Sequence, residues 1–164
     1  MKKKMCRACG KAELVSTKER YPYNESGLPN VLLEGVTVRR CPACSEFEVV
    51  IPRVTELHGV IALAVVRKTS RLTGPEIRFL RKFLGLSGVD FARRMGVAPE
   101  VVSKWEHDKD PIGGQSDRLL RMMVVRDRPV EEYPLERLAE IDDNKHDPIS
   151  LDLLPSDDGW QSAA

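Results

Sequence analysis

The sequence lacks any long apolar run: the longest, Val60 to Val66, is seven residues, where about 20 are needed to cross a bilayer. A membrane-spanning role is therefore excluded. The basic start, Met1 to Lys4, is followed by no apolar stretch and no small-residue cleavage site, so no secretory leader is read and a cytoplasmic setting is expected. No internal repeat of about 20 to 50 residues is present. Histidine is scarce: His58, His107 and His146 stand apart, outside any nucleophile or metal pattern, and read as solvated surface residues. With 164 residues there is no room for separate cofactor and substrate domains. A non-enzymatic function is expected.

Charge is ordinary in total and uneven in place. The formal net charge is +1. Residues 1–73 hold 13 basic and 7 acidic side chains, 74–128 hold 11 and 8, and 129–164 hold 2 and 10. A basic body carrying an acidic tail points towards nucleic acid, or towards a tail that competes for the basic surface.

Breakers and periodicity divide the chain into four. Residues 1–52 contain short β-rich runs, Val31–Leu33, Val36–Arg40 and Phe47–Ile51, separated by turn residues that include Gly35. Large apolar residues are few there, so something other than burial must hold the piece together. Residues 53–71 read as a connecting helix, with Val54, Leu57, Ile61 and Val65 at helical spacing, followed by a polar link at Lys68 to Arg71. Residues 72–128 read as four helices: one opened by Pro75, one capped by Ser87, one opened by Ala98 or Pro99 and ending near His107, and one carrying Leu119, Leu120, Met123 and Val124. Residues 129–164 are rich in Pro and Asp; after a weak helix at Leu135–Ile141 they are expected to be largely disordered, or to act as a mimic of nucleic acid. The expected fold is thus an α+β N-terminal domain followed by an all-α domain.

The cysteines carry the first chemical signal. Cys6 and Cys9 form one C-x-x-C, Cys41 and Cys44 form another, and 31 residues lie between. Two such pairs place four thiolates around one ion, because a two-residue gap lets a tight turn present both sulfurs. Gly10 and Pro42 suit these turns. Zinc is the expected cofactor, in a closed structural site without an open position for substrate; in small domains such a site contributes on the order of 10 kcal/mol. Iron is the competitor, since the knuckles also resemble those of rubredoxin, and two disulfides are the reading a reducing compartment disfavours.

The second signal is Leu84 to Asp108. Phe91, Ala92, Met95, Val97, Val102 and Trp105 fall where two short helices must pack, with a turn at Gly96 and Val97. That is a helix-turn-helix arrangement, whose second helix enters the major groove. A helical interaction module without DNA has the same spacing. Arg93, Arg94 and Lys109 are candidates for phosphate contacts.

Residues 74–127 resemble the XRE (lambda-repressor and Cro-like) helix-turn-helix family, down to the S-x-W-E at Ser103 to Glu106. The resemblance implies a recognition helix at Ala98–His107 and base-facing positions at Pro99, Glu100, Ser103 and Lys104. Chemistry allows Lys104 to donate to guanine and Glu100 to accept from cytosine. Across residues 5–127 the order of modules, with C-R-A-C-G at Cys6 and G-V-T-V-R-R-C-P-A-C at Gly35, is similar to the MqsA or YgiT-type antitoxins. That resemblance implies a homodimeric repressor that binds its own double-stranded DNA operator and an mRNA-cleaving ribonuclease toxin. A stand-alone zinc-finger and helix-turn-helix regulator, and an iron redox protein, are the alternatives.

Overall fold

The computed structural model describes residues 4–127 and 133–163. The expected boundary at Arg128 and Pro129 lies outside the described residues. In chain order the elements are β1 (Val15–Pro22), β2 (Val31–Arg40), β3 (Phe47–Val50), α1 (Val54–Arg67), α2 (Gly74–Phe83), α3 (Gly88–Met95), α4 (Pro99–Glu106), α5 (Gly114–Asp127), β4 (Leu151–Ser156) and β5 (Gly159–Ser162). The protein is α+β: a mixed sheet, a central region of five helices, and two C-terminal strands that return to the sheet.

Strand β2 is the centre of the sheet. It pairs antiparallel with β1 on one side. On the other side, Thr37 to Arg40 pair antiparallel with β3, and Val31 to Leu33 pair parallel with β4. The two runs read separately as Val31–Leu33 and Val36–Arg40 are one strand. Gly35, at φ +63, inserts a bulge between them where β1 shifts register. The extra residue resets the two-residue period, so that Val31, Leu33, Val36 and Val38 all point to the buried face. Strand β1 was not foreseen because its side chains are mostly polar and exposed, and its place comes from backbone pairing to β2.

Local chemistry sets the helix ends. Pro75 sits in the first turn of α2, and the Glu76 carboxylate accepts from the Thr73 amide at 2.8 Å. The Ser87 hydroxyl accepts from the Asp90 amide at 3.0 Å to start α3, and Gly96 ends that helix in the left-handed conformation. One hydrophobic cluster runs from the sheet (Leu33, Val36, Val38, Leu153) through α1 (Leu57, Ile61, Val65) into α2 to α5 (Leu80, Phe91, Trp105, Leu120).

The C-terminal segment corrects the expectation of disorder. Its expected helix at Leu135–Ile141 is a single turn of 3-10 helix, Leu135–Leu138, and Leu151 to Ser162 form β4 and β5. The physical reason is that its partners are mainly main-chain groups elsewhere. The Asp142 amide donates to Thr69 O and the Arg71 amide to Lys145 O, both at 2.8 Å. The Ile149 amide donates to the buried Glu76 carboxylate at 2.8 Å, and the Trp160 indole donates to Pro52 O at 3.0 Å. Its described residues strap the link between α1 and α2 and then complete the sheet.

Beneath that strap the polar link at Lys68 to Arg71 is clamped. Arg121, fully buried, donates from Nε to Asp117 at 2.6 Å and from its other nitrogens to Val66 O, Lys68 O and Ser70 O at 3.1, 2.5 and 2.7 Å. Asp117, also fully buried, accepts from the Leu72 amide at 2.7 Å with its second oxygen. A buried charge is tolerable only when paired and hydrogen-bonded, and here both members are.

Candidate metal centre and exposed helix face

Cys6 and Cys9 come from the turn that opens the chain, and Cys41 and Cys44 from the turn between β2 and β3. The first turn is closed by the Gly10 amide to Cys6 O and the Cys6 amide to Ala12 O, both at 2.9 Å, with Gly10 left-handed at φ +64. In the second, the Cys41 amide donates to Glu46 O at 3.0 Å and the Ala43 amide approaches Cys41 Sγ at 3.4 Å. Pairing of β1 with β2 brings the two turns together, and the four sulfurs lie within 4.8 Å of one another.

Two sulfur–sulfur separations are 3.7 Å (Cys6–Cys44) and 3.6 Å (Cys9–Cys41). Both are far beyond the roughly 2.05 Å of a disulfide, and all four cysteines are free, which removes the disulfide reading. A tetrahedron with metal–sulfur bonds of about 2.3 Å has sulfurs about 3.8 Å apart, so the cluster fits a metal ion such as zinc. A four-sulfur tetrahedron equally suits iron. The thiols titrate against one another. The Cys9 amide, with the Cys41 and Cys44 thiols, holds Cys6 down to about 7. The Glu46 amide favours the Cys44 thiolate too, but the neighbouring Cys41 thiol and burial outweigh it and push Cys44 up to about 12. A divalent cation among them removes that conflict, since coordination deprotonates a thiol outright.

The helix pair α3 and α4 is fastened from behind. Glu106, the last residue of α4, has a nearly buried side chain held by Arg81 at 2.5 and 3.1 Å. Asp108 accepts from the Gly74 amide at 2.6 Å. A Cβ on Gly74 would sit 2.8 Å from both Trp105 O and Glu106 O, so only glycine lets α2 begin this close to the end of α4. The tail of S-x-W-E is thus structural: Trp105 is buried in the core and Glu106 ties α4 to α2.

Of the residues expected to face bases, Pro99, Glu100, Ser103 and Lys104 are all exposed on α4, while Val102 and Trp105 on the same helix are buried. Of those expected at phosphates, Arg93, Arg94 and Lys109 are exposed. Arg93 lies 3.3 Å from Asp90, and Lys104 lies 3.5 Å from Asp110, in pairs open to solvent. Pro99, Glu100, Ser103 and Lys104 thus stand on the side of α4 away from the core, whereas Arg93 and Arg94 belong to α3 and Lys109 to the loop after α4.

The histidines need one correction. His58 is half-buried rather than solvated: its Nε2 is 2.8 Å from the Tyr23 hydroxyl and Phe79 meets its ring edge-on. Burial holds its pKa below the ordinary value of 6.5. Its position in an apolar stretch of α1 was the available sign. His107 is exposed, with Nδ1 donating to Ser103 O at 2.7 Å.

Fold and site together define an α+β protein with a four-cysteine centre suited to a metal and a helix pair with one open polar face; no helix among the described residues is long and apolar enough to cross a membrane. No protein-family model matches the chain, and no curated protein matches it.

Proposed function

We propose that the protein is a sequence-specific DNA-binding repressor whose four cysteines hold structural zinc. The observation that carries the reading is the sorting of α4: Pro99, Glu100, Ser103 and Lys104 stand outward while Val102 and Trp105 are buried. A recognition helix needs that division, since its inner face must be fixed for its outer side chains to reach base edges at set positions. Arg94 and Lys109 flank that face and would supply sequence-independent affinity. Zinc is favoured over iron because a closed four-sulfur site between two knuckles serves folding.

The order of modules supports a narrower reading as the antitoxin of a toxin–antitoxin pair: a homodimer that represses its own operon and binds an mRNA-cleaving ribonuclease. A stand-alone regulator has the same helix face and lacks only the toxin.

The test is selection of bound duplexes from a random library, followed by Lys104→Ala on the selected site. The expected result is an enriched, two-fold symmetric sequence and a loss of about 1 to 3 kcal/mol with relaxed preference at one base pair. A protein that enriches nothing overturns the DNA reading. Purification from native cells then separates the narrower readings: a co-purifying small ribonuclease supports the antitoxin, and a homodimer alone supports the stand-alone regulator.

A further inference from the structure

We propose that the cleft between the loop at Asn24–Gly27, α1, α2 and the end of α4 is a binding site for a small aromatic carboxylate. The cleft holds about 350 Å³ and is lined by His58, Phe79, Phe83, Arg78 and Lys82 together with the loop. Ligand sites run from roughly 300 to 1,000 Å³, so this one takes a molecule of about one ring.

Its charges are arranged for an anion. Two carboxylates border the cleft, Glu106 and Glu25, and both are engaged. Arg81 holds Glu106 from behind, and the Tyr21 hydroxyl donates to Glu25. Arg78 and Lys82 are one turn apart on α2 and face the same space. Arg78 reaches Glu106 only at 3.4 and 3.5 Å, longer than the Arg81 bonds, and Lys82 makes no ion pair among the described residues. A guanidinium held by one imidazole nitrogen and two longer contacts, with an ammonium beside it, suits a carboxylate, which accepts two parallel bonds from arginine.

The rest of the lining is arranged for a flat ring. Phe79 and Phe83 lie nearly parallel, 20° apart in plane with centroids at 6.4 Å, and His58 meets Phe79 at 87° and 5.9 Å. A single ring entering beside them finds aromatic faces and edges together, the contacts aromatic pairs favour.

Arg78 also contacts His107 Nε2 at 3.0 Å and Glu106 O, at the C-terminal end of α4. A ligand that captures Arg78 releases those contacts, so occupancy would alter how α4 ends. That consequence for DNA affinity rests on the function proposed above; the site itself does not.

The experiment titrates the zinc-loaded full chain with benzoate, using acetate and benzyl alcohol as controls that carry only the carboxylate or only the ring, read by amide NMR shifts. The expected result is saturable shifts at residues 24–27 and 78–83 with benzoate, and at least about tenfold weaker response to either control. Lys82→Glu, at an exposed position, should weaken benzoate at least about tenfold without changing thermal stability; Arg78→Gln, which also gives up the contacts to Glu106 and His107, should weaken benzoate by at least as much. No saturable shift up to about 10 mM benzoate, shifts confined to other regions, or equal binding by both variants overturns the proposal. Because these readouts use no DNA, they stand whether or not the protein selects an operator.

Discussion

The two ends of this chain are poor in core and are held by opposite means. Around the cysteines, Arg7, Ala8, Gly10, Pro42, Ala43 and Phe47 are exposed, and only Cys6 and Cys41 are buried. That end is organised by four sulfurs converging on one point. The C-terminal end buries Ile141, Leu153 and Trp160 and otherwise relies on hydrogen bonds: Trp160 and Tyr133 donate to Pro52 O and Val66 O, its main chain bonds that of Thr69 and Arg71, and Arg53 donates to its Asp157 and Gly159 carbonyls. One end makes its own anchor by chemistry, and the other borrows the surface of the folded helices. The lesson is that a low apolar content excludes an independent core without excluding order.

The largest expected effect breaks the first of these anchors. Structural zinc in small domains contributes on the order of 10 kcal/mol, so Cys41→Ser or a strong chelator should unfold the two knuckles locally. Hydrogen exchange at residues 4–14 and 41–47 is expected to lose protection, while the amides of Arg71 and Asp142, which hold the strap, keep theirs. Protection retained at the knuckles after the metal is gone would show that β1 to β3 hold them unaided and would remove the contrast between the ends.

The second anchor breaks at Arg121. Arg121→Ala leaves Asp117 charged, buried and without its partner, at a cost of about 3 to 5 kcal/mol. For a chain of this size that lowers Tm by roughly 2 to 4 °C per kcal/mol. It also frees Val66 O, Lys68 O and Ser70 O, so exchange at the Arg71 and Asp142 amides should rise while the cysteine turns stay protected. A joint Arg121→Met, Asp117→Leu variant should recover only the part due to the lone charge, because the Leu72 amide and the carbonyls of Val66, Lys68 and Ser70 still lose their partners. If the single variant melts like the parent, the clamp is not what orders the link.

These contrasts also explain what was legible. The paired C-x-x-C motifs mark their own partners by spacing, so the four-cysteine cluster could be read directly, and Thr73–Pro75, Ser87 and Gly96 mark helix ends through local bonds. The strap could not be read because its partners are carbonyls, and a carbonyl leaves no trace in side-chain identity. Arg118 illustrates this: it looks like any solvated helix charge, yet it donates to Leu138 O, Gly114 O and Asp143 at 2.9, 2.9 and 3.0 Å. Strand β1 was hidden for a similar reason, since its polar side chains carry no alternation and only pairing with β2 defines it. In the exposed helix face, the division between buried and outward residues followed from apolar spacing, whereas the role of Glu106 as a fastener needed Arg81, 25 residues away in sequence.

The smallest expected effect belongs to a seam outside both ends, where His58 of α1 meets Tyr23 of the loop between β1 and β2. Burial lowers the His58 pKa in the folded protein, so the unfolded chain takes up the proton first. The contribution is fully present above the ordinary value of 6.5, and it is lost as pH falls from there through the depressed folded value. Chemical denaturation at about pH 7.5 and 5.5 should therefore show a larger fall for the parent than for His58→Gln. Metal content must be equal at both pH values, because acid also competes for the thiolates. Arg78, Lys82, Glu25 and Glu106 border the same cleft and are common to parent and variant, so the difference between the two isolates the imidazole. Equal slopes would mean that the ring is hydrated in solution, and the seam would then owe its order to the apolar contacts of Leu28 and Phe79 rather than to a buried polar pair.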